Sequence, residues 1–254
     1  MNIKMVVTDL DNTFLRYDKT VSEYTADVFR RIRERGVFIA FATARDFRFV
    51  TEYITPMNGI VPDVLIADNG ALARYDDRDL YKKLIPFETL NTLMSRYNLV
   101  RCISTESGYY LSGEYANDHW SLGKKETVIT DFSQHKNEDA LYIDGNTDKD
   151  PSSLTESIPD IRVVTYSDVS LITVVHREAT KLNALNAICN ALKVKASEIA
   201  IFGDDYSDIE MLSNFTHSVA VANAIDDCKT VAKYICDTND NDGVAKWLEE
   251  RILT

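Results

Sequence analysis

The sequence has few cysteines and no long apolar run. Its four cysteines, among 254 residues, form no C-x-x-C pair, and no histidine follows them at the spacing of zinc ligands. Cysteines in this number and arrangement fit reduced thiols in a reducing compartment. No window approaches the roughly 18 apolar residues of a membrane span, and the apolar run before Asp9 is too short for a secretory signal. These absences predict a cytoplasmic protein.

Positive charge is scarce as well. Lysine and arginine number 28 against 40 aspartates and glutamates, which gives a net charge of −12 and a pI near 4.8. Nucleic-acid-binding proteins normally carry a basic footprint, and anionic membranes attract basic segments, so neither partner is expected. An anionic small substrate fits this balance only if local positive charge holds it. Nothing in the sequence indicates an obligate protein partner.

Several common signatures are missing. The chain contains no G-x-G-x-x-G, no G-x-x-x-x-G-K-[ST] and no G-x-S-x-G, so nucleotide-binding folds and serine hydrolases lack support. Two acidic stretches, at 144–150 and 237–243, imitate calcium loops, but lysine and aspartate stand where the loop requires glycine. The four histidines are scattered and form no metal pair.

Four short apolar runs have the composition of strands buried on both faces, as in a parallel sheet. They are IKMVV ending at Val7, VFIAFA ending at Ala42, VLIA ending at Ala67 and EIAIFG ending at Gly203. Residues 22–35 have helical spacing, with Ser22 and Thr25 as possible caps and Gly36 as a stop. Further helices are predicted at 180–192, 207–213 and 243–253, with a strand SVAVA between the last two. Both ends of the chain therefore predict one α/β core, a Rossmann-like parallel sheet.

The middle of the chain has a different pattern. Runs such as GYYLSGEY, ALYIDG, IRVVTYS and SLITVVH alternate apolar and polar residues, which is typical of strands with one exposed face. We therefore predict an α+β domain at residues 79–177, inserted into a discontinuous core formed by residues 1–78 and 178–254.

Polar residues follow the four predicted strands directly. In open parallel α/β sheets, ligands bind beyond the carboxyl ends of the strands. The residues at these ends are Asp9, Asp11, Thr43, Arg45, Asp68, Asn69, Gly70, Asp204, Asp205 and Asp208. The pair Asn69-Gly70 also fits a hairpin turn, and both interpretations can hold together. The convergence of acids, a hydroxyl and an arginine on one rim predicts the functional site there.

Clustered carboxylates at this rim predict a bound cation. Asp9, Asp11 and Asp204 would repel one another, which strongly raises a pKa or demands a positive partner. Carboxylates, a backbone carbonyl and waters are what Mg²⁺ takes, and it typically bridges to a phosphate. Asp9 and Asp11 lie two apart on an extended chain, so both side chains face the same way. One of them could attack a phosphorus atom, and the other could protonate the leaving oxygen.

Four motifs, in this order and spacing, resemble the haloacid dehalogenase superfamily. They are DLDNT, FATAR, a lysine that opens a helix at Lys181, and GDDYSDIEML. The segments DNGA at 68–71, VANA at 221–224 and DGVAKWLEE near the end are similar to the Cof-type branch of sugar-phosphate phosphatases. The resemblance covers the whole predicted core, and it implies that the inserted middle is the large α+β cap of this branch.

The resemblance implies a Mg²⁺ cofactor and its ligands. Asp9 would be the nucleophile and a metal ligand. Asp11 would be the general acid and base and would give its backbone carbonyl to the metal. Asp204 would bind the metal, and Asp208 would support Lys181 or a metal-bound water.

The resemblance also implies residues that bind a small phosphorylated metabolite. Thr43 would hydrogen-bond the phosphate, and Lys181 would neutralise the phosphate and the nucleophile. Arg45 and Asn69 would face the substrate or the cap, and Ser207 would lie on the substrate side. In the cap itself, the candidates for specificity are Tyr109, Tyr110, His119 and Trp120.

This sequence departs from the family pattern at four positions. Asn12, Ala44 and Leu182 stand where glycine is usual, and Ser207 replaces an asparagine. Asparagine tolerates a left-handed backbone, so the turn at Asn12 is expected to survive. No departure removes an acid, the lysine or the threonine, so substrate geometry and rate are affected more than the reaction.

The expected function is a Mg²⁺-dependent phosphomonoester hydrolase that acts on a small phosphorylated metabolite, a sugar phosphate, through an aspartyl-phosphate. One alternative is a sugar phosphomutase or phosphotransferase that uses the same intermediate. A non-enzymatic alternative is a phospho-accepting or ligand-sensing module. Such a module has no need of Asp11, because a general acid and base serves only turnover.

Overall fold

The computed structural model describes residues 1–96, 100–112, 126–129, 137–146 and 151–254. The strands in chain order are β1 (Met5–Thr8), β2 (Phe38–Ala42), β3 (Val64–Ala67), β4 (Leu72–Tyr75), β5 (Arg78–Lys82), β6 (Val100–Thr105), β7 (Tyr109–Ser112), β8 (Glu126–Ile129), β9 (Ala140–Gly145), β10 (Ile161–Thr165), β11 (Ile172–His176), β12 (Ile199–Gly203), β13 (His217–Val221) and β14 (Tyr234–Cys236). The helices are α1 (Glu23–Glu34), α2 (Phe47–Phe49), α3 (Thr55–Asn58), α4 (Phe87–Arg96), α5 (Pro151–Ser157), α6 (Lys181–Leu192), α7 (Ile209–Asn214), α8 (Asp226–Val231) and α9 (Gly243–Leu248).

The first sheet runs in the order β14-β13-β12-β1-β2-β3-β4-β5. Neighbours from β14 to β3 are parallel, and β4 and β5 add antiparallel at one edge. β1, β3 and β12 are buried along their whole length, which is why each reads as an unbroken apolar run. The predicted parallel α/β core is confirmed.

Local signals also set the limits of α1. The Ser22 side chain accepts a hydrogen bond from the Thr25 amide at 2.9 Å and caps the helix. The helix ends before Gly36, whose φ of 74° is left-handed. Val28, Phe29 and Ile32 bury the inner face against the sheet.

The second sheet has the order β10-β11-β9-β6-β7-β8 and is antiparallel except for the pair β7 and β8. It carries a core of its own, in which Leu90 of α4 and Leu154 of α5 pack with Ile103 and Ile143. The predicted α+β module is present as this separate sheet with its helices.

We propose that this α+β module is inserted into the core formed by the first sheet, with one change to the predicted boundary. β5 pairs with β4 in the first sheet, so the sheet continues past residue 78 to Lys82.

None of the helices in the described part of the chain combines the length and apolar character that a membrane crossing needs.

Candidate active site

The carboxyl ends of β1, β2 and β12 lie side by side. Thr8 is in register with Phe41 of β2 and Phe202 of β12, and the Asp9 amide donates to the Phe202 carbonyl at 3.1 Å. The residues that follow these strands, Asp9 and Asp204 among them, therefore meet at one edge of the sheet, as the sequence predicted.

Lys181 joins two of the acids. It is the first residue of α6 and only 2% exposed. Its Nζ donates to Asp9 Oδ1 at 2.7 Å and to Asp208 Oδ1 at 2.8 Å. Gly70 permits this placement, because a Cβ there would lie 2.3 Å from the Thr180 carbonyl carbon. The turn at Gly70 thus packs directly against the start of α6.

Asp208 closes the loop after β12. Its Oδ2 accepts the backbone amides of Asp204 and Asp205 at 3.1 and 3.3 Å. Its side chain fills the space beside Gly203, where a Cβ would lie 2.5 Å from Asp208 Cβ. On the other side, Thr13 Oγ1 donates to Asp204 Oδ1. These bonds fix the direction of the Asp204 carboxylate.

Asp9, Asp204 and Asp208 form a buried acidic cluster. Each offers a carboxylate oxygen, and these oxygens lie within 4.8 Å of one another. Burial raises the pKa of Asp9 to about 7 against the pull of Lys181, and burial with the charges of Asp9 and Asp208 raises that of Asp204 to about 9. Burial alone would lower the pKa of Lys181, but its two carboxylate partners raise it. Lys181 compensates only part of this charge, so the donor set fits a hard divalent cation.

Asp11 is bound by two cations of its own. Arg45 donates to both of its oxygens, with Nη2 to Oδ1 at 2.6 Å, and Lys19 Nζ donates to Oδ1 at 2.7 Å. Burial raises the pKa of Asp11, but the bonds and charges of Arg45 and Lys19 outweigh it and lower the pKa to about 2. The guanidinium of Arg45 also lies over the Phe49 ring, 4.6 Å from its centroid. Asp9 and Asp11 therefore have opposite surroundings although they are two residues apart.

The turn between them keeps the expected left-handed backbone. Asn12 has a φ of 57°, which confirms the expectation for this departure from glycine. Asn223 Nδ2 donates to the Asn12 carbonyl at 2.7 Å. Thr43 is buried, and its hydroxyl accepts the Arg45 amide at 3.1 Å.

A cavity of about 370 Å³ opens over these residues. The predicted site residues that line it are Asp9, Asp11, Thr43, Arg45, Lys181, Asp204, Ser207 and Asp208. The second sheet supplies the opposite wall, including Tyr109, Tyr142, Asp144, Tyr166 and Thr173. The cavity is thus bounded by both sheets.

The remaining predicted residues have different outcomes. Asn69 faces the second sheet, which is one of the two positions predicted for it, and its amide donates to the Tyr166 hydroxyl at 2.9 Å. Asn69 itself does not line the cavity. Tyr109 lines the cavity, whereas Tyr110 packs in the core of the second sheet. His119 and Trp120 lie outside the described residues.

Other residues of the site were not predicted. Thr13 lies inside the DLDNT motif, so its contact with Asp204 could have been predicted from the motif. Lys19 and Tyr166 reach the site from loops without a motif. Arg48 binds buried Asp46 and reaches Ser104 of the second sheet at 2.7 Å, so it ties the two sheets beside the cavity.

Comparison with known proteins agrees with this geometry. A family model described as haloacid dehalogenase-like hydrolase matches residues 6–248. The 5-amino-6-(5-phospho-D-ribitylamino)uracil phosphatase YitU of Bacillus subtilis is 25% identical and covers 97% of this chain and 96% of its own. The structure of SMU.1108c from Streptococcus mutans has a TM-score of 0.84 at 20% identity, covering 99% of this chain and 100% of that one. The HAD subclass IIB sugar phosphatase BT4131 has a TM-score of 0.80 at 21% identity, covering 97% and 98%.

The family match extends from β1 to the end of α9 and includes both sheets. The two solved structures share the fold over nearly the whole chain. The chain therefore belongs to the haloacid dehalogenase-like hydrolase family, in its Cof-like branch, and is a phosphatase of that type.

Proposed function

We propose that this protein is a Mg²⁺-dependent hydrolase of phosphate monoesters that works through an aspartyl-phosphate on Asp9. The observation that carries the proposal is the separation of two neighbouring carboxylates. Asp9 lies with Lys181 in the acidic cluster, while Asp11 is held apart by Arg45 and Lys19. One carboxylate is therefore placed for attack, and the other for proton transfer.

The cation would be held by the carboxylates of Asp9 and Asp204 and by the backbone carbonyl of Asp11. Asp208 would act on the cation through Lys181 and the loop after β12. When bound, Mg²⁺ would screen the negative charge of the phosphoryl group from the carboxylates. The buried, incompletely compensated acids support this assignment, because such a set favours a hard cation with oxygen ligands.

The proposed reaction has two steps. An oxygen of Asp9 forms a bond to phosphorus while the bond to the leaving oxygen breaks, and Asp11 passes a proton to that oxygen. Because a pKa of about 2 keeps Asp11 ionised in the free protein, this proton would enter with the substrate, as the proton of a phosphate monoester monoanion. A water molecule then attacks the phosphorus, its proton passes to Asp11, and the Asp9–phosphate bond breaks to release inorganic phosphate. Thr43 and Lys181 would hold the phosphoryl oxygens throughout.

The substrate we propose is a small phosphorylated metabolite, most simply a sugar or polyol phosphate. The cations Lys19, Arg45 and Lys181 all lie beside Asp9 and Asp11, which fits a phosphate at that end of the cavity. The opposite wall offers the hydroxyl-bearing side chains of the second sheet, and a cavity of about 370 Å³ suits a small ligand. The ribityl phosphate in the name of YitU is a substrate of this class.

The test is a panel of phosphate esters assayed for phosphate release with Mg²⁺ and with EDTA. We expect hydrolysis of sugar phosphates and of para-nitrophenyl phosphate with Mg²⁺ only. Asp9→Asn should abolish turnover and leave the circular dichroism spectrum and melting temperature close to those of the wild type. Activity retained by this variant would contradict the assignment of the nucleophile.

Product analysis by phosphorus NMR separates hydrolysis from transfer to a second sugar. We expect inorganic phosphate as the product, and a sugar bisphosphate or an isomerised sugar phosphate would favour the mutase or transferase alternative instead.

We also propose a cytoplasmic site of action, supported by cysteines that are all free thiols.

A further inference from the structure

Lys19 is a cation of the cavity wall that takes no part in either step of the reaction proposed above. It follows β1 in the loop at 15–22, and its side chain lines the cavity and is 39% exposed. Its Nζ lies 2.7 Å from Asp11 Oδ1. An ion pair this exposed contributes little to stability, so its contact with the proposed general acid needs another explanation.

Two loops hold the Asp11 carboxyl group from different parts of the chain. Arg45, after β2, donates from Nε to Oδ2 and from Nη2 to Oδ1. Lys19, after β1, donates to Oδ1 as well. Oδ1 is thus engaged twice, and both oxygens are engaged at once, which restricts rotation of the carboxyl group about its bond to Cβ.

The backbone of Lys19 is held in an unusual conformation. Its φ is 68°, in the left-handed region that a lysine rarely adopts. The turn is closed by the bonds of Lys19 N to Arg16 O and of Arg16 N to Thr20 O, both 2.9 Å. Asn58 of α3 donates to the Lys19 carbonyl at 3.3 Å and accepts the Val21 amide at 2.9 Å. Strained backbone held from several sides is typical of functional positions.

We propose that Lys19 is a positioning residue that, together with Arg45, orients the Asp11 carboxyl group toward the leaving oxygen of the substrate. The inference rests on the proposed function of Asp11 as the general acid. Its effect belongs to the step in which the leaving oxygen takes a proton. Substrates whose leaving group needs that proton should therefore depend on Lys19, and substrates with a stable anion as leaving group should not.

The experiment compares kcat/KM for a sugar phosphate and for para-nitrophenyl phosphate in Lys19→Met and Lys19→Arg. In Lys19→Met we expect a roughly 10- to 100-fold loss with the sugar phosphate, carried by kcat, because small misplacements of a catalytic group cost this much. The loss with para-nitrophenyl phosphate should be several times smaller, because nitrophenolate leaves without a proton. Lys19→Arg should restore most of the activity, since arginine keeps the charge and the donor.

Lys193→Met is the matched control. Lys193 is also a lysine with a left-handed φ, of 58°, but it is exposed at the end of α6 and does not line the cavity. The variant makes the same side-chain change at a left-handed position without touching Asp11, so both kcat/KM values should stay at the wild-type level. Lys19→Gln serves as a second variant if Lys19→Met does not fold.

Three outcomes would overturn the inference. Equal losses with the two substrates would show a structural effect, a rise in KM alone would make Lys19 a substrate ligand, and unchanged kinetics would remove its role. All three leave the proposed function intact if the wild type hydrolyses both esters. A wild type inactive toward both esters would instead remove the proposed function, and the inference with it.

Discussion

Asp208 shapes the site by holding other residues in place, although the proposed reaction gives it no step of its own. It pairs with Lys181, accepts the amides of Asp204 and Asp205, and packs beside Gly203. One carboxylate therefore sets the position of the lysine and the direction of the loop that carries Asp204. Gly203 is the residue that makes room for it.

Gly203→Ala should damage both stability and activity. The new Cβ would lie 2.5 Å from Asp208 Cβ and 2.7 Å from its Cγ, so the Asp208 side chain must move at its base. We expect a loss of about 1–3 kcal/mol in the free energy of unfolding, as for other overpacked sites, and a kcat/KM at least tenfold lower because Lys181 and Asp204 lose their support. Urea unfolding and steady-state kinetics measure the two effects.

Gly108→Ala is the control for this change. A Cβ at Gly108 would meet nothing closer than 3.7 Å, and Gly108 has no left-handed φ. Its stability and kinetics should match those of the wild type. A Gly203→Ala protein that also matches the wild type would contradict the packing argument.

At the scale of elements, α6 begins with Lys181, whose positive charge lies where the helix dipole disfavours it. A lysine at a helix N-terminus is electrostatically unfavourable, and here the charges of Asp208 and Asp9 outweigh that cost. The helix is held in place by Thr180, whose hydroxyl accepts the Asn183 amide at 2.9 Å, and by the close contact of Thr180 with the turn at Gly70.

Thr180→Ala should destabilise the protein by about 1 kcal/mol, because it removes an N-cap. It should also reduce kcat, since the first turn of α6 positions Lys181. Thr180→Ser keeps the accepting hydroxyl and should preserve both properties. Thr230→Ala removes an exposed hydroxyl that donates to the Asp226 carbonyl within α8, so its unfolding free energy should stay within about 0.5 kcal/mol of the wild type. If Thr180→Ala and Thr230→Ala unfold alike, the cap contributes nothing.

Elements were predictable where burial or local caps determine them. β1, β3 and β12 were found as apolar runs because the sheet buries them on both faces, and α1 was limited by Ser22 and Gly36. β5 was not predicted, because it is a charged strand, RDLYK, at the edge of the sheet, where the apolar pattern is weak. The 78/79 boundary was placed inside it for that reason.

The contacts of the site divide in the same way. Asp9, Asp204 and Lys181 could be predicted to meet, because strand ends and motif order bring them together. The pairing of Asn69 with Tyr166 and of Lys19 with Asp11 depends on how loops from distant parts of the chain pack. Sequence spacing carries no information about such contacts, so Asn69 was predicted only to face either the substrate or the cap, and Lys19 was not predicted at all.

For the whole molecule, the acidic cluster links stability, pH and metal. Without a cation, burial raises the pKa of Asp9 to about 7 and that of Asp204 to about 9, whereas both titrate near 4 in an unfolded chain. Between about pH 4 and about pH 9, the folded protein binds more protons than the unfolded chain, so its free energy of unfolding falls as the pH rises. Asp11 has its pKa lowered to about 2, and its contribution is lost only below about pH 4, outside this window.

The metal-free protein should therefore melt at a lower temperature at pH 9 than at pH 5, measured in EDTA. Mg²⁺ needs deprotonated ligands, so saturating Mg²⁺ should raise the melting temperature more at pH 9 than at pH 5. Asp204→Asn removes the acid with the larger shift, and its metal-free melting temperature should fall less over the same range. Because the charges of Asp9 and Asp204 act on each other, the difference between the two slopes reports Asp204 together with its effect on Asp9. Equal slopes, or a metal-free wild type that gains stability toward pH 9, would show that the carboxylates of the cluster are not the groups that hold these protons.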